Sequence, residues 1–581
     1  MLQKCLCRLP AGLLALCLGL SLAACASSDD GSQEAPPDDP PATIDLCPSD
    51  PAKTAPGLCG CGVVDSEADV DGDGVIDCLD GCPNDPFKSA VDVCPCGTTQ
   101  TAQGCAQNIG SAAELAALRD LWNAATAVEL SEMNALYVLK ADIDLGALAA
   151  DGATAIEWVG IGTRASPFNG VFLGGGKRIA ATSAAGERLE LTCAERDCGL
   201  FGALADGTLS DLTVDLDLAL TRETTMRDEP ATVGLAVGLL QGGALDGVEA
   251  RGSVSAAGLN SFAGGLAGYC DGGRISGSRA EVEVGSKATA GGLLGYLSGA
   301  SGALRGVASA GDVSAPIAGG LVGWMDDGAI EGASASGEAW AEADKSYGTA
   351  IAGGLVAKVI QGSIANALAS GAAATLTAYY QYAGGLAGEV MAGHIANAAA
   401  TGAATGTAGY YAYVGGLIGS LSVLADSAAQ VPVGGTLDTV YAAGAVEGSV
   451  RAGSVSFIGS NAHVGALLGQ LFVSPIDGPA ATVRHAYWNS GAIEGGRPLD
   501  DEDAAEHLAD SRGFSLVDAA TQPALDGADG QPSAENLLQR LNADVAGLAA
   551  AGKTWRPWVA GTMRAGEATY AVPTLDLASS N

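Results

Sequence analysis

One seven-letter word recurs along the middle of the chain and limits what it can fold into. It stands as AGGLAGY at Ala263–Tyr269, AGGLLGY at Ala290–Tyr296, AGGLVGW at Ala318–Trp324, AGGLVAK at Ala352–Lys358, AGGLAGE at Ala383–Glu389 and VGGLIGS at Val414–Ser420. A degenerate VGALLGQ follows at Val464–Gln470. A single glycine-rich word suits a phosphate loop, but a repeated one marks a supersecondary unit stacked on its neighbours. Counted from the leucine of each word, the fixed positions are few. Ile275, Ile330, Ile364 and Ile395 stand nine residues on, and Gly337, Gly371 and Gly402 sixteen on. Weaker copies add Leu200 and Leu235 to the leucine series. The first half of each unit therefore keeps its length and the second half varies, as in a coil whose insertions leave from one face.

These features predict a mainly β chain: a parallel β-solenoid with a short N-terminal helix cap and a C-terminal cap containing a helix. Coils about 4.8 Å apart would stack like residues in columns. The leucine and isoleucine columns would then fill the interior, with the glycines supplying positive φ and close backbone approach at the bends. Alanine-rich stretches such as ANALASGAAATL have helical propensity, but glycine recurs too often for a 3.6-residue period to hold. The net charge of −38 over 581 residues repels nucleic acid and anionic membrane surfaces.

The N-terminus carries an address. Lys4 and Arg8 precede the apolar run Ala11–Leu22, which leads into Leu22-Ala23-Ala24-Cys25. This resembles the bacterial lipoprotein signal, which implies removal of residues 1–24 and lipidation of Cys25. Ala26 and Ser27 are similar to the start of outer-membrane lipoproteins, so the implied location is the bacterial outer membrane, lipid-anchored and surface-exposed. An ordinary secretory signal is the alternative. Residues 25–45, rich in Pro, Asp and Ser, read as a disordered tether.

Residues 46–106 hold eight cysteines, Cys47, Cys59, Cys61, Cys78, Cys82, Cys94, Cys96 and Cys105. An exported context favours disulfides, with zinc as the alternative and the connectivity open. Within this segment DVDGDGVIDCLD places Asp69, Asp71, Asp73, Asp77 and Asp80 at positions 1, 3, 5, 9 and 12 of a calcium loop. Gly74 takes the sharp-turn position and Val75 the backbone-carbonyl position. The alternative is a solvated acidic turn. The longer word Asp69–Pro83 resembles a thrombospondin type-3 repeat, which implies Ca²⁺ as the bound cofactor. Cys193 and Cys198 are expected to close a small loop, and Cys270 to be a buried apolar residue.

From Gln107 the chain turns globular. Residues 107–205 read as an N-terminal cap and first coils, 206–495 as the repeat region and 496–581 as a C-terminal cap. Ser111-Ala-Ala-Glu114 is a capping box ahead of a short helix. The order of strands, glycine words and AYWNSG (Ala486–Gly491) resembles bacterial surface proteins named for the GLUG motif. So does the ending, with a helix near Ser533–Leu548, then Trp555, Trp558 and TYAVPTLDL. That resemblance implies an adhesin-like β-solenoid.

The function expected is a lipid-anchored surface protein that presents the repeat region for adhesion or for a carbohydrate or surface-protein ligand, on a calcium-stabilised stalk. The alternative is a polysaccharide lyase or glycoside hydrolase on the same scaffold. An enzyme would need carboxylates gathered on one patch, and counted from the leucines they scatter. No HExxH or GxSxG occurs, so no catalytic residue is assigned. Tyrosines recur at fixed offsets from two leucines: Tyr379, Tyr380 and Tyr382 after Leu355, and Tyr410, Tyr411 and Tyr413 after Leu386. Stacked coils would make them a two-rung ladder. It would either stiffen the coil or, with Tyr379 and Tyr410 outward, form a ligand platform.

Overall fold

The computed structural model describes residues 45–126, 135–150, 152–344, 348–408, 410–425, 432–450, 461–473, 483–492, 508–509, 511–514, 523–526, 532–548, 555–565 and 568–577. The signal, Cys25, most of the tether and His507 lie outside them. Among the described residues no helix is long and apolar enough to cross a membrane.

The chain is mainly β. Three large sheets carry the repeats, and within the repeat region neighbouring strands run parallel except where Ile418–Ala425 meets the edge strand Pro432–Gly434. Each glycine word spans a corner between two of them. In AGGLVAK, Thr349–Gly353 belongs to the nine-stranded sheet and Val356–Val359 to the ten-stranded one. The remainder of each unit feeds the 28-stranded sheet. The leucine series is interior throughout: Leu200, Leu235, Leu266, Leu293, Leu321, Leu355, Leu386, Leu417 and Leu467 are all fully buried. So is the isoleucine series, which the register extends to Leu245, Leu304, Leu437 and Val483.

The expected parallel β-solenoid is corrected by the connectivity of the large sheet. One strand per coil and face would give an open ladder. Instead eight parallel strands pair in a closed ring. It runs from Thr208–Leu220 through Ala244–Asp246, Arg274–Ser276 and Ala303–Arg305 to Ala329–Ala335. It returns through Ala308–Ser309, Arg279–Ser286 and Glu249–Ala256. The cause lies at one backbone position. Asp211, Gly247, Gly277, Gly306 and Gly332 occupy one register row, all with positive φ between 49° and 69°. At the three central glycines the strand breaks in two. At Asp211 and Gly332 it runs on, so these two long strands join both rows of pairs and close the ring.

The same row continues as Asn366, Asn397, Thr439 and His485, again at positive φ. Asparagine tolerates this region because its short amide can bond locally. The Asn397 amide donates to Asn366 Oδ1 at 2.7 Å and to the Arg556 carbonyl at 2.9 Å. Asn366 Oδ1 also accepts the Arg556 N–H at 3.0 Å. The row thus receives the C-terminal unit, whose core gathers Tyr441, Tyr487, Phe514, Leu537, Leu541 and Trp558. That unit holds the helix Leu537–Leu548 and the hairpin Trp558–Ala565/Ala568–Leu575.

The glycine words act by close approach. Neither Gly353 nor Gly354 has positive φ. A Cβ on Gly353 would sit 1.9 Å from the Val356 carbonyl oxygen, and one on Gly371 1.8 Å from that of Gly337. Backbone occupies the space a side chain would need. At the other end, Ser111 caps the helix Ala112–Ala124 in a capping box with Glu114, and Leu115, Leu118 and Trp122 close the first turn of the core.

Candidate functional site

The cysteine segment is disulfide-bonded, in pairs Cys47–Cys61, Cys59–Cys78, Cys82–Cys96 and Cys94–Cys105. Cys193–Cys198 closes the short loop as expected. Cys270 is buried, which pushes its thiol up to about 12. The first four pairs reveal a duplication: CPxDPxK followed by CxCG at Cys47–Gly62 is copied 35 residues on at Cys82–Gly97. Gly62 N–H donates to Asp50 at 2.8 Å, and Gly97 N–H to Asp85 at 2.7 Å. The matched words were open to view in the sequence, since Cys47, Cys59 and Cys61 recur 35 residues on as Cys82, Cys94 and Cys96.

Between the copies lies the acidic loop. Carboxylate oxygens of Asp69, Asp71 and Asp73 come within 4.8 Å of one another. Gly72 and Gly74, both at positive φ, make the turn, and their N–H groups hold the two oxygens of Asp69 at 2.8 and 3.0 Å. Asp71 Oδ2 and Asp80 Oδ2 are shielded from solvent and have no hydrogen-bond partner. Burial, then the charges of Asp73, Asp80 and Asp69, hold the Asp71 carboxyl above its ordinary range. Three converging carboxylates, one of them with an orphaned oxygen on Asp71, are the start of what a hard cation needs. Asp77 is turned differently: its Oδ1 accepts the Val70 N–H at 2.9 Å.

The six tyrosines form the expected ladder. Tyr380 pairs with Tyr411 and Tyr382 with Tyr413 in register. Tyr379 stacks on Tyr410 at 4.7 Å and 9°, Tyr380 on Tyr411 at 5.9 Å, and Tyr382 on Tyr413 at 5.1 Å. His463 adds a third rung, 5.1 Å from Tyr413. The direction differs from expectation. Gln381, fully buried, bonds Thr375 Oγ1 at 2.8 Å and the Thr407 carbonyl at 2.7 Å inside the coil. Tyr380 and Tyr382 therefore point outward, while Tyr379 and Tyr410 sit at the turn before the strand. Because the rings stack on one another, their faces are largely occupied; Tyr382 is half-buried and Tyr413 buried. Burial and then the Glu389 carboxylate push the Tyr382 phenol up.

A second aromatic run continues the ladder and was not singled out from sequence. Tyr269, Tyr296 and Trp324 are the last letters of three glycine words and pair in register. Phe262 lies 4.6 Å from Tyr296, Tyr296 5.9 Å from Trp324, and the Lys358 ammonium 5.0 Å over Trp324. Lys358 pairs with Glu389 at 3.0 Å, which leads to Tyr382. The Lys358–Glu389 ion pair thus lies between two aromatic groups, Phe262 to Trp324 on one side and Tyr379 to His463 on the other. The signal was present: an aromatic three residues after the leucine in successive words.

Other histidines serve the fold. His394 bonds Thr436 Oγ1 at 2.6 Å and His485 bonds Asp438 at 2.7 Å. Glu283, Asp312 and Glu338 come together at the large sheet: Glu283 stands on the strand Arg279–Ser286, and Asp312 and Glu338 directly precede the strands Val313–Ala315 and Ala339–Glu342. The Val284 N–H donates to the Asp312 carbonyl at 2.9 Å and the Glu338 N–H to Asp312 Oδ1 at 2.9 Å.

No protein-family model and no curated protein matches the chain. Among solved structures, the chain is similar to a candidate immunoglobulin A1 protease from Bacteroides ovatus, with 15% identity over 83% of this chain and 94% of that one. The TM-score of 0.25 is too low for that likeness to carry an argument.

Proposed function

We propose that the chain is a lipid-anchored bacterial surface protein whose repeat region binds a ligand along its aromatic row, a carbohydrate or a surface protein. The lipobox-like Leu22-Ala23-Ala24-Cys25 supports the anchor, and the −38 charge keeps such a protein soluble and off nucleic acid. The duplicated disulfide segment serves as a stalk. Asp69, Asp71, Asp73 and Asp80 hold a structural Ca²⁺ there, with the Val75 carbonyl and Asp77 on the same loop. Calcium suits a segment with little apolar core, because metal binding substitutes for burial. The resemblances to thrombospondin type-3 repeats and GLUG-motif surface proteins support the same arrangement.

The observation that carries the reading is the outward row of tyrosines. A row of phenol edges offers hydroxyls that donate and accept above an apolar ring surface, the composition of binding surfaces. Tyr379→Ala with Tyr410→Ala removes the most closely stacked rung. The expected result is lost binding in a glycan and matrix-protein screen of the full chain with calcium, with the melting temperature lowered by only a few degrees, since one stacked pair contributes about 0.5–1.5 kcal/mol. Unchanged binding with a lowered melt would reduce the ladder to a structural role.

The anchor has its own test. Cys25→Ser is expected to move the protein from the membrane fraction to the soluble export fraction of labelled cells, because no acyl chain can then be attached. Retention in the membrane fraction would count against lipidation.

A further inference from the structure

The large sheet carries a hollow of about 370 Å³, lined by Ser253, Ser255, Glu283, Asp312, Ser314 and Trp340. The register explains it. Ser255, Gly285, Ser314 and Trp340 follow one another on neighbouring strands, as do Ser253 and Glu283. Gly285 offers no side chain and the serines only short ones, so the row is empty beside a single large ring. Trp340 is 38% exposed, and among the described residues no other ring lies against it. This sets it apart from the row of tyrosines, whose faces are taken up by their neighbours.

The polar rim is one-sided. Glu283 and Asp312 are exposed, and among the described residues neither has a cationic partner. The nearby arginines are engaged elsewhere on the sheet, Arg279 with Glu249 and Arg251 with Glu249 and Glu281. A free indole face beside hydroxyls and carboxylates without a cationic partner matches a flat ring with an apolar side and a rim of hydrogen-bond donors.

We propose that this hollow is a pyranose subsite selective for neutral and amino sugars. The sugar ring lies on Trp340, its hydroxyls donate to Glu283 and to the Asp312 oxygen that does not accept the Glu338 N–H, and the Ser255 and Ser314 hydroxyls complete the rim, Ser253 being held by Asp217. An amino substituent gains from the two carboxylates, whereas a uronic acid is repelled by them. The site is on a different sheet from the tyrosine row, so Tyr379→Ala with Tyr410→Ala leaves it intact and the two readings fail separately.

Calorimetric titration of the full chain, with calcium present, uses three probes: the glucosamine trimer, the N-acetylglucosamine trimer and trigalacturonate. The expected order is the amino trimer tightest, the neutral trimer measurable and trigalacturonate unbound. Trp340→Ala is expected to weaken the first two roughly tenfold, with Trp340→Phe retaining part. Glu283→Gln with Asp312→Asn should remove the advantage of the amino trimer over the neutral one. Binding of trigalacturonate as tight as the others would overturn the proposal. So would unaltered affinity in a normally melting Trp340→Ala, or no binding by any of the three.

Discussion

Leu355→Asp is expected to unfold the repeat region. Leu355 is fully buried between the leucines of adjacent units: its N–H donates to the Leu386 carbonyl at 2.9 Å and its carbonyl accepts the Leu321 N–H at 2.8 Å. Removing a buried leucine side chain costs about 2–5 kcal/mol. A carboxylate in its place adds the cost of a charge with no partner in an apolar column. Together these approach the whole stability of an ordinary domain, roughly 5–15 kcal/mol. Thermal and urea unfolding by circular dichroism check the result, with Leu355→Ala as the milder comparison. An unaltered melt in Leu355→Asp would mean that the column faces water.

Asp71→Ala with Asp73→Ala is expected to abolish calcium binding by the stalk. The pair removes two of the three converging carboxylates, and the remaining ligands are too few for a hard cation that takes six to eight oxygens. The pH dependence follows from Asp71. Its carboxyl is held above the ordinary range by burial and by Asp73, Asp80 and Asp69. A raised carboxyl binds its proton more readily folded than unfolded. Without calcium, the penalty is therefore present at neutral pH and is relieved as pH falls through the raised value. Calcium competes for the same oxygens, so its affinity is expected to weaken over that descent. Calorimetry at several pH values measures both effects. Equal binding before and after the substitutions would show that the cation sits elsewhere.

The inward columns were legible where the isoleucine follows its leucine at one fixed distance, at Ile275, Ile330, Ile364 and Ile395; Leu304 and Leu437, further from their leucines, join the column only through the register. The tyrosine ladder was legible for a related reason: Leu355, Leu386 and Leu417 are equally spaced, so equal offsets are equal heights. Where spacing varies, counting fails. Glu283 and Asp312 lie at different offsets from their leucines, yet the register that pairs Val284 with Val313 brings them side by side. Polarity also misled. Gln381 looks like a surface residue, but its amide finds Thr375 and the Thr407 carbonyl within the coil, so the tyrosines on either side take the outside. The closed ring in the large sheet was not legible at all. It depends on whether a strand breaks at one positive-φ residue, and glycine stands both at Gly306, where it breaks, and at Gly332, where it does not.

The register that places Tyr380 beside Tyr411 fixes both the leucine interior and the aromatic exterior. A slip of one residue would exchange them. Paired cysteines test it most directly. Neighbouring strands lie about 4.8 Å apart, within the Cα separation of roughly 4.4–6.8 Å that a disulfide bridges. Tyr380→Cys with Tyr411→Cys is expected to cross-link within one molecule under mild oxidation. Tyr380→Cys with Ala412→Cys, whose side chains take opposite faces, is expected to stay reduced. Cross-linking of the second pair and not the first would contradict the register and the placement of the tyrosine row with it.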